Sequence, residues 1–340
     1  MKTRLVFALV VVLSVLVTTA CAGAAPAAPT ATATPLPPSP TPAATETPLP
    51  PTATPAPPTA TSTPIPPTTT PTEPPQPTAT PTPSGLPPEP RPVKFQTTDG
   101  QATLDGLHYP AAAKGAPVVV LMHWVRSDQS DWAEVAYWLQ NRGLGGKSPN
   151  PGKLPWLDPS WFPPVPKGQS LNVFTFTFRG CEAGGCKQLN QRSWWIDANS
   201  AMKAASGLEE VDLHKIVAAG ASIGADGAAD GCFWLNVAPR NIAGEGYCPG
   251  AFSLSPGGYL TVPYADAVKQ LQAGRPIPPV WCLYAEQDGE ASSACQSASG
   301  GAYRAIAFPG NPHGMALIAP ELEPNTLQLM LDWLKLSLKL

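Results

Sequence analysis

Charge is scarce in this 340-residue sequence. Asp, Glu, Lys and Arg make up 13% of it, the formal net charge is −3, and no basic run occurs. Nucleic-acid binding needs a clustered positive footprint, so nucleic acid is not an expected partner. Histidine is scarcer still, with only His108, His123, His214 and His313. Any imidazole chemistry must come from these four. No Cys-x2-Cys pair and no Cys/His cluster has ligand spacing, so no metal site is expected. No internal repeat is visible, which argues against a solenoid or a propeller. The longest apolar run, Leu5 to Val17, is broken only by Ser14 and falls short of the about 20 residues that cross a bilayer.

Proline, by contrast, is abundant and unevenly placed. Of 46 prolines, 26 lie between Pro26 and Pro92, among Thr and Ala, with four charges and no aromatic residue. Such a stretch cannot bury enough apolar surface to offset its chain entropy, and it reads as a disordered spacer. Extended at about 3.1 Å per residue, it would reach roughly 200 Å. Residues 93–340 hold all ten Trp and six of the seven Cys. That length and composition suit one α/β domain with a single large core.

Lys2 and Arg4 ahead of the apolar run match a secretory signal peptide over residues 1–20. The following Thr18-Thr19-Ala20-Cys21 resembles the lipobox of bacterial lipoproteins, although Thr18 stands where that motif prefers a larger apolar residue. The resemblance implies a diacylglyceryl group on Cys21, a lipid bilayer as partner, and an extracytoplasmic domain tethered by the 21–92 linker. The rival is cleavage after Ala22, which removes Cys21 and releases a soluble protein. Export also suits the remaining six cysteines, an even number that predicts disulfides. Fifteen connectivities are open. Proximity in sequence favours Cys181–Cys186, Cys232–Cys248 and Cys282–Cys295.

From Val93 onward, strand-like and helical patterns alternate. "VKFQT" and "ATLDGLHY" flank Asp99-Gly100 as a hairpin, with His108 expected at the surface. "PVVVLM" is a continuous branched run, as in a strand buried on both faces. Ser130 or Asp131 can cap a helix through "DWAEVAYWLQNR" that ends at Gly143. "NVFTFTF", "KIVAAG", "AFSLS", "VWCLYA" and "YRAIAF" supply further strands, with helices between them and "NTLQLMLDWLKLSL" at the end. The alternation predicts a mostly parallel sheet with helices on both faces.

The chemistry centres on Gly220-Ala221-Ser222-Ile223-Gly224, a G-x-S-x-G pattern between a strand and small-residue helical sequence. A serine hydroxyl needs a base, and the base needs an orienting carboxylate. His313 is the one histidine beyond the last strand, in "FPGNPHGM". His214 begins a strand and so faces the opposite edge of the sheet. The acid is expected in Ala285-Glu286-Gln287-Asp288-Gly289-Glu290. Asp288 is favoured, with Glu286 and Glu290 as alternates.

These motifs, in this order, resemble the α/β-hydrolase superfamily across residues 93–340, in particular its dienelactone hydrolase-like and small esterase branches. The resemblance implies a central sheet without a large cap domain, an acyl-enzyme mechanism without cofactor, and a small-molecule ester as substrate. It also implies an oxyanion hole from the backbone N–H groups of Trp124, in "LMHWVRSDQSDW", and Ile223. The family usually carries Gly where this chain has Trp124. His123 is expected to fix that loop rather than to move protons. "FRGCEAGGC" stands where relatives carry an Arg-Gly-x-Gly loop. Dienelactone hydrolases themselves use a Cys nucleophile, and haloalkane and epoxide hydrolases an Asp, so Ser222 points to carboxylic esters. A serine peptidase, or an inactive tethered binding protein, is the rival. The insertion Gly145–Ser170, with Trp156, Trp161 and Phe162, is expected at the edge opposite the site, as packing rather than a lid.

Overall fold

The structure, a computed structural model, describes residues 86–142, 162–319 and 321–340. The signal peptide, Cys21, the linker as far as residue 85, Gly143, Trp156 and Trp161 lie outside the described residues.

Ten strands form: β1 Arg91–Gln96, β2 Thr103–Tyr109, β3 Ala116–Met122, β4 Asn172–Phe176, β5 Cys181–Glu182, β6 Gly185–Cys186, β7 Val211–Ala221, β8 Ala251–Leu254, β9 Val280–Ala285 and β10 Tyr303–Phe308. Seven helices accompany them: α1 Ala133–Leu139, α2 Gln191–Ser206, α3 Ile223–Val237, α4 Arg240–Ala243, α5 Tyr264–Ala273, α6 Gly289–Ser297 and α7 Thr326–Leu338. Eight strands make one sheet in the order β1-β2-β4-β3-β7-β8-β9-β10, while β5 and β6 pair separately. Only β1–β2 and β2–β4 are antiparallel, and all the other pairs in the large sheet are parallel. This is the α/β-hydrolase arrangement.

Alternation along the strands divides the core into two layers. Val119, Leu121, Val217, Ala219, Phe252 and Leu254 face α1 and α7, whereas Val118, Val120, Met122, Ile216 and Ala218 face α2, α3 and α5. Each fully buried Val, Leu or Met contributes about 1.5–3 kcal/mol. β3 can therefore be apolar at nearly every position. The α7 helix starts where Asn325 accepts hydrogen bonds from the N–H groups of Leu327 (2.9 Å) and Gln328 (3.0 Å).

Three local expectations change. The strand pairing begins at Arg91, so Pro92 sits in β1; an edge strand tolerates a residue without an N–H. The residues before it are also tied down, since Arg142 pairs with Glu89 and Gln140 Nε2 donates to Pro88 O (2.8 Å). The helix after β3 opens as a 3-10 turn at Gln129–Trp132, capped by Asp128, whose side chain accepts from Ser130 N–H (2.8 Å). Its α-helical part ends at Leu139, before the left-handed Asn141. His108, expected at the surface, is buried and hydrogen-bonded to Asn172 Oδ1 (3.0 Å), because β2 lies inside the sheet. Burial holds its pKa below the ordinary histidine value.

Phe162 packs its ring edge-on to Trp138 at 5.6 Å, and the Trp138 indole donates to Pro163 O (2.7 Å). The described end of the insertion thus joins the core. Among the described residues no helix is long and apolar enough to cross a membrane.

Candidate active site

The chain leaves β3 toward β4 on one side of the sheet, then starts β7 on the other side of β3. Side-by-side strands whose connections diverge open a crevice at their carboxyl ends, the usual place for a ligand in such sheets. Trp124 follows β3 and Ser222 follows β7, so both border that crevice. Asp288 follows β9 and His313 follows β10, at the same edge.

The turn at Ser222 explains the glycines around it. A Cβ on Gly220 would run into the Gly224 carbonyl oxygen, and one on Gly224 into that of Met122. Only glycine lets α3 approach β7 and β3 so closely. Ser222 itself has φ 53° and ψ −116°, a strained conformation for a residue with a side chain. It is 3% exposed, and its N–H donates to Leu254 O (2.9 Å). The Ile223 N–H is the first of α3, with no acceptor inside the helix and the positive end of the helix dipole behind it.

The Ser222 hydroxyl lies 2.9 Å from His313 Nε2, and His313 Nδ1 lies 2.6 Å from Asp288 Oδ2. A carboxylate accepts from Nδ1–H, so Nε2 is left to accept from the serine O–H. Of the two alternate acids, Glu286 is exposed and the carboxylate of Glu290 is engaged with the Tyr259 hydroxyl. The acid loop is pinned to the end of β10 by Glu286 N–H on Phe308 O (2.9 Å) and to the turn after it by Gln287 N–H on Gly310 O (2.9 Å). His214 lies in the first half of β7, at the opposite end of the sheet.

His123 is buried, and both its ring nitrogens are used. Nε2 accepts from Phe178 N–H (3.0 Å), which leaves Nδ1–H to donate to Trp124 O (2.6 Å). Burial lowers its pKa to about 4, so it stays neutral and holds the loop. The Trp124 indole donates to Asp131 Oδ2 (2.6 Å), and Ser127 Oγ donates to Asp131 Oδ1 (3.0 Å). A Cβ on Gly314 would stand 3.0 Å from Trp124 Cε3 and 3.6 Å from Ser222 Cβ. The ring and the serine therefore flank the residue after His313.

Three side chains escaped the reading of the sequence. Tyr259 presents its ring edge-on to His313, with centroids 6.1 Å apart. Its loop is held from below by Asp226, four residues after Ser222, which accepts from the N–H groups of Gly257 (2.9 Å), Tyr259 (2.7 Å) and Leu260. Burial outweighs these hydrogen bonds and raises the Asp226 pKa to about 8. Asp230, one turn on, is also buried and raised well above the ordinary value by burial, with Asp226 adding to it. The available signal was two acids at i, i+4 in a helix of otherwise small and apolar residues.

The six cysteines pair as Cys181–Cys186, Cys232–Cys248 and Cys282–Cys295. Among the described residues no group of three or more His, Cys, Asp and Glu could hold a metal ion.

No protein-family model matches the chain, and no curated protein matches it. Similar folds occur among solved structures. A Pyrococcus furiosus esterase is 16% identical over 73% of this chain and 91% of its own, with a TM-score of 0.47. EstE1, a thermostable carboxylesterase from a metagenomic library, is 17% identical over 74% of this chain and 87% of its own, with a TM-score of 0.45. P91, a dienelactone hydrolase-like promiscuous phosphotriesterase from metagenomic libraries, is 13% identical over 74% and 97%, with a TM-score of 0.46.

Proposed function

We propose that this protein is an exported serine hydrolase that cleaves small carboxylic esters through an acyl-enzyme. The observation that carries the reading is the unbroken hydrogen-bond chain Ser222–His313–Asp288 at the crevice edge of the sheet. Ser222 Oγ attacks the acyl carbon while its proton passes to His313 Nε2. Asp288 keeps Nδ1 protonated and stabilises the imidazolium that forms. The N–H groups of Ile223 and Trp124 receive the tetrahedral oxyanion, and the α3 dipole adds to the pull at Ile223. Collapse expels the alcohol, which takes the proton from Nε2. Water then repeats the sequence on the acyl-Ser222, with His313 again as base. No step requires a metal or an organic cofactor.

Three disulfides in one domain favour an oxidising compartment, in keeping with export and with a membrane tether through a lipidated Cys21. A binding protein without activity would not need a hydroxyl held against an imidazole and a carboxylate in series. Fluorophosphonate labelling of the full-length protein tests the reading. Wild type should label at one serine and hydrolyse a short p-nitrophenyl ester, and Ser222→Ala should do neither. Equal labelling of both proteins would overturn it.

A further inference from the structure

Two loops meet past the carboxyl ends of β3 and β4, and neither carries the acid or the base. One is residues 123–128, which follow β3 and include Trp124. The other follows β4 and runs through Arg179 into the β5–β6 hairpin, where Cys181 pairs with Cys186 in both register and disulfide. The root of that hairpin is fixed to α2. Arg179 Nε donates to Asp197 Oδ1 (2.8 Å), and its backbone N–H donates to Asp197 Oδ2 (2.9 Å). The Trp194 indole donates to Arg179 O (3.0 Å). Asp197 is fully buried, so this root cannot drift.

From there the hairpin reaches across to the other loop. The Cys186 N–H donates to Val125 O at 2.8 Å. Gly185 is buried, with φ +103°, and a Cβ on it would stand 3.0 Å from Val125 O and 3.3 Å from the Arg126 carbonyl carbon. The neighbouring Gly184 is exposed and faces open space. Two strands of two residues each have no core of their own, so the disulfide and this contact keep the hairpin closed. Its hold falls on the second carbonyl after the Trp124 N–H. His123 holds the first.

We propose that the disulfide-closed hairpin 181–186 is a positioning element for the oxyanion loop. It fixes the backbone after Trp124, so that the Trp124 N–H is aimed before substrate arrives. This rests on the serine hydrolase reading above. An oxyanion donor acts in the transition state, so disturbing its support should lower kcat and kcat/KM together while KM stays nearly constant. Losing a donor outright costs about 10²–10³ in kcat. A displaced donor should cost less, about 10–100-fold.

The test uses the full-length protein as Gly185→Ala, as Cys181→Ser/Cys186→Ser, and as Gly184→Ala for comparison. Each is followed by ester kinetics and by amide hydrogen exchange over residues 123–128. The expected result is a matching fall in kcat and kcat/KM for the first two variants, faster exchange confined to the 123–128 loop, and wild-type behaviour for Gly184→Ala. Wild-type kcat in both perturbed variants would overturn the proposal. So would a loss carried by KM, or exchange accelerated across the whole sheet. A wild type without ester turnover would instead sink the functional reading. The exchange arm would then decide the hairpin alone, and unchanged protection at 123–128 would overturn it.

Discussion

Asp226→Asn should make the stability difference between variant and wild type change sign with pH. Asn keeps the shape of the acid but has one acceptor oxygen, and its NH2 group would face one of the three backbone N–H groups from Gly257, Tyr259 and Leu260. A buried N–H left without an acceptor costs about 1–3 kcal/mol. That cost does not depend on pH. The wild-type carboxyl has its folded pKa raised from 3.8 to about 8 by burial, so between those values the folded state holds a proton that the unfolded state has lost. Its contribution is therefore fully present below about pH 4 and is lost as pH rises through 8. The slope is about 1.4 kcal/mol per pH unit, or about 4 kcal/mol between pH 5 and pH 8. At pH 4, where that contribution is still largely intact, the variant should be the less stable by about 1–3 kcal/mol. By pH 8 wild type has given up more than that, and the order should reverse. Urea unfolding of both proteins at pH 4, 6.5 and 8, with equal m-values, measures the difference directly. A difference that is the same at all three pH values would refute the raised carboxyl and the account of what holds the Tyr259 loop.

The triad reading also extends to its other members. His313→Ala should cost at least ~10³ in turnover, because nucleophile and base act as a unit; Asp288→Asn should impair the rate while Glu286→Gln leaves it intact, and the reverse pattern would move the acid. Non-reducing mass mapping should recover the three cysteine pairs. Breaking the buried Cys232–Cys248 bridge with paired alanines should lower unfolding stability by about 2–4 kcal/mol, and an unchanged stability would count against its closing a constrained loop. Full-length protein should partition into detergent through two acyl chains on Cys21, and Cys21→Ser should release it or block its processing. A mature N-terminus at Gly23 in the soluble fraction would overturn the tether and leave the hydrolase chemistry untouched.

Much of the fold was legible because its signals are local. The "PVVVLM" run reads as a strand covered on both faces, and β3 is that strand. A serine between two glycines, after a strand and before a helix, specified a turn that larger residues would block. His313 could be singled out as the candidate base by elimination among four histidines, and each cysteine pair closes a loop of few residues. What tertiary structure alone decided depends on partners far apart in the chain. His108 is buried because β4, more than sixty residues later, pairs with its strand and brings Asn172 to it. Asp226 holds the Tyr259 loop only because α3 runs beneath it. The hairpin grips Val125 only because β3 and β4 are neighbours in the sheet and end side by side. Periodicity and propensity say which face of an element is apolar. They carry no information about which buried polar group another segment will satisfy, since that depends on packing several segments at once.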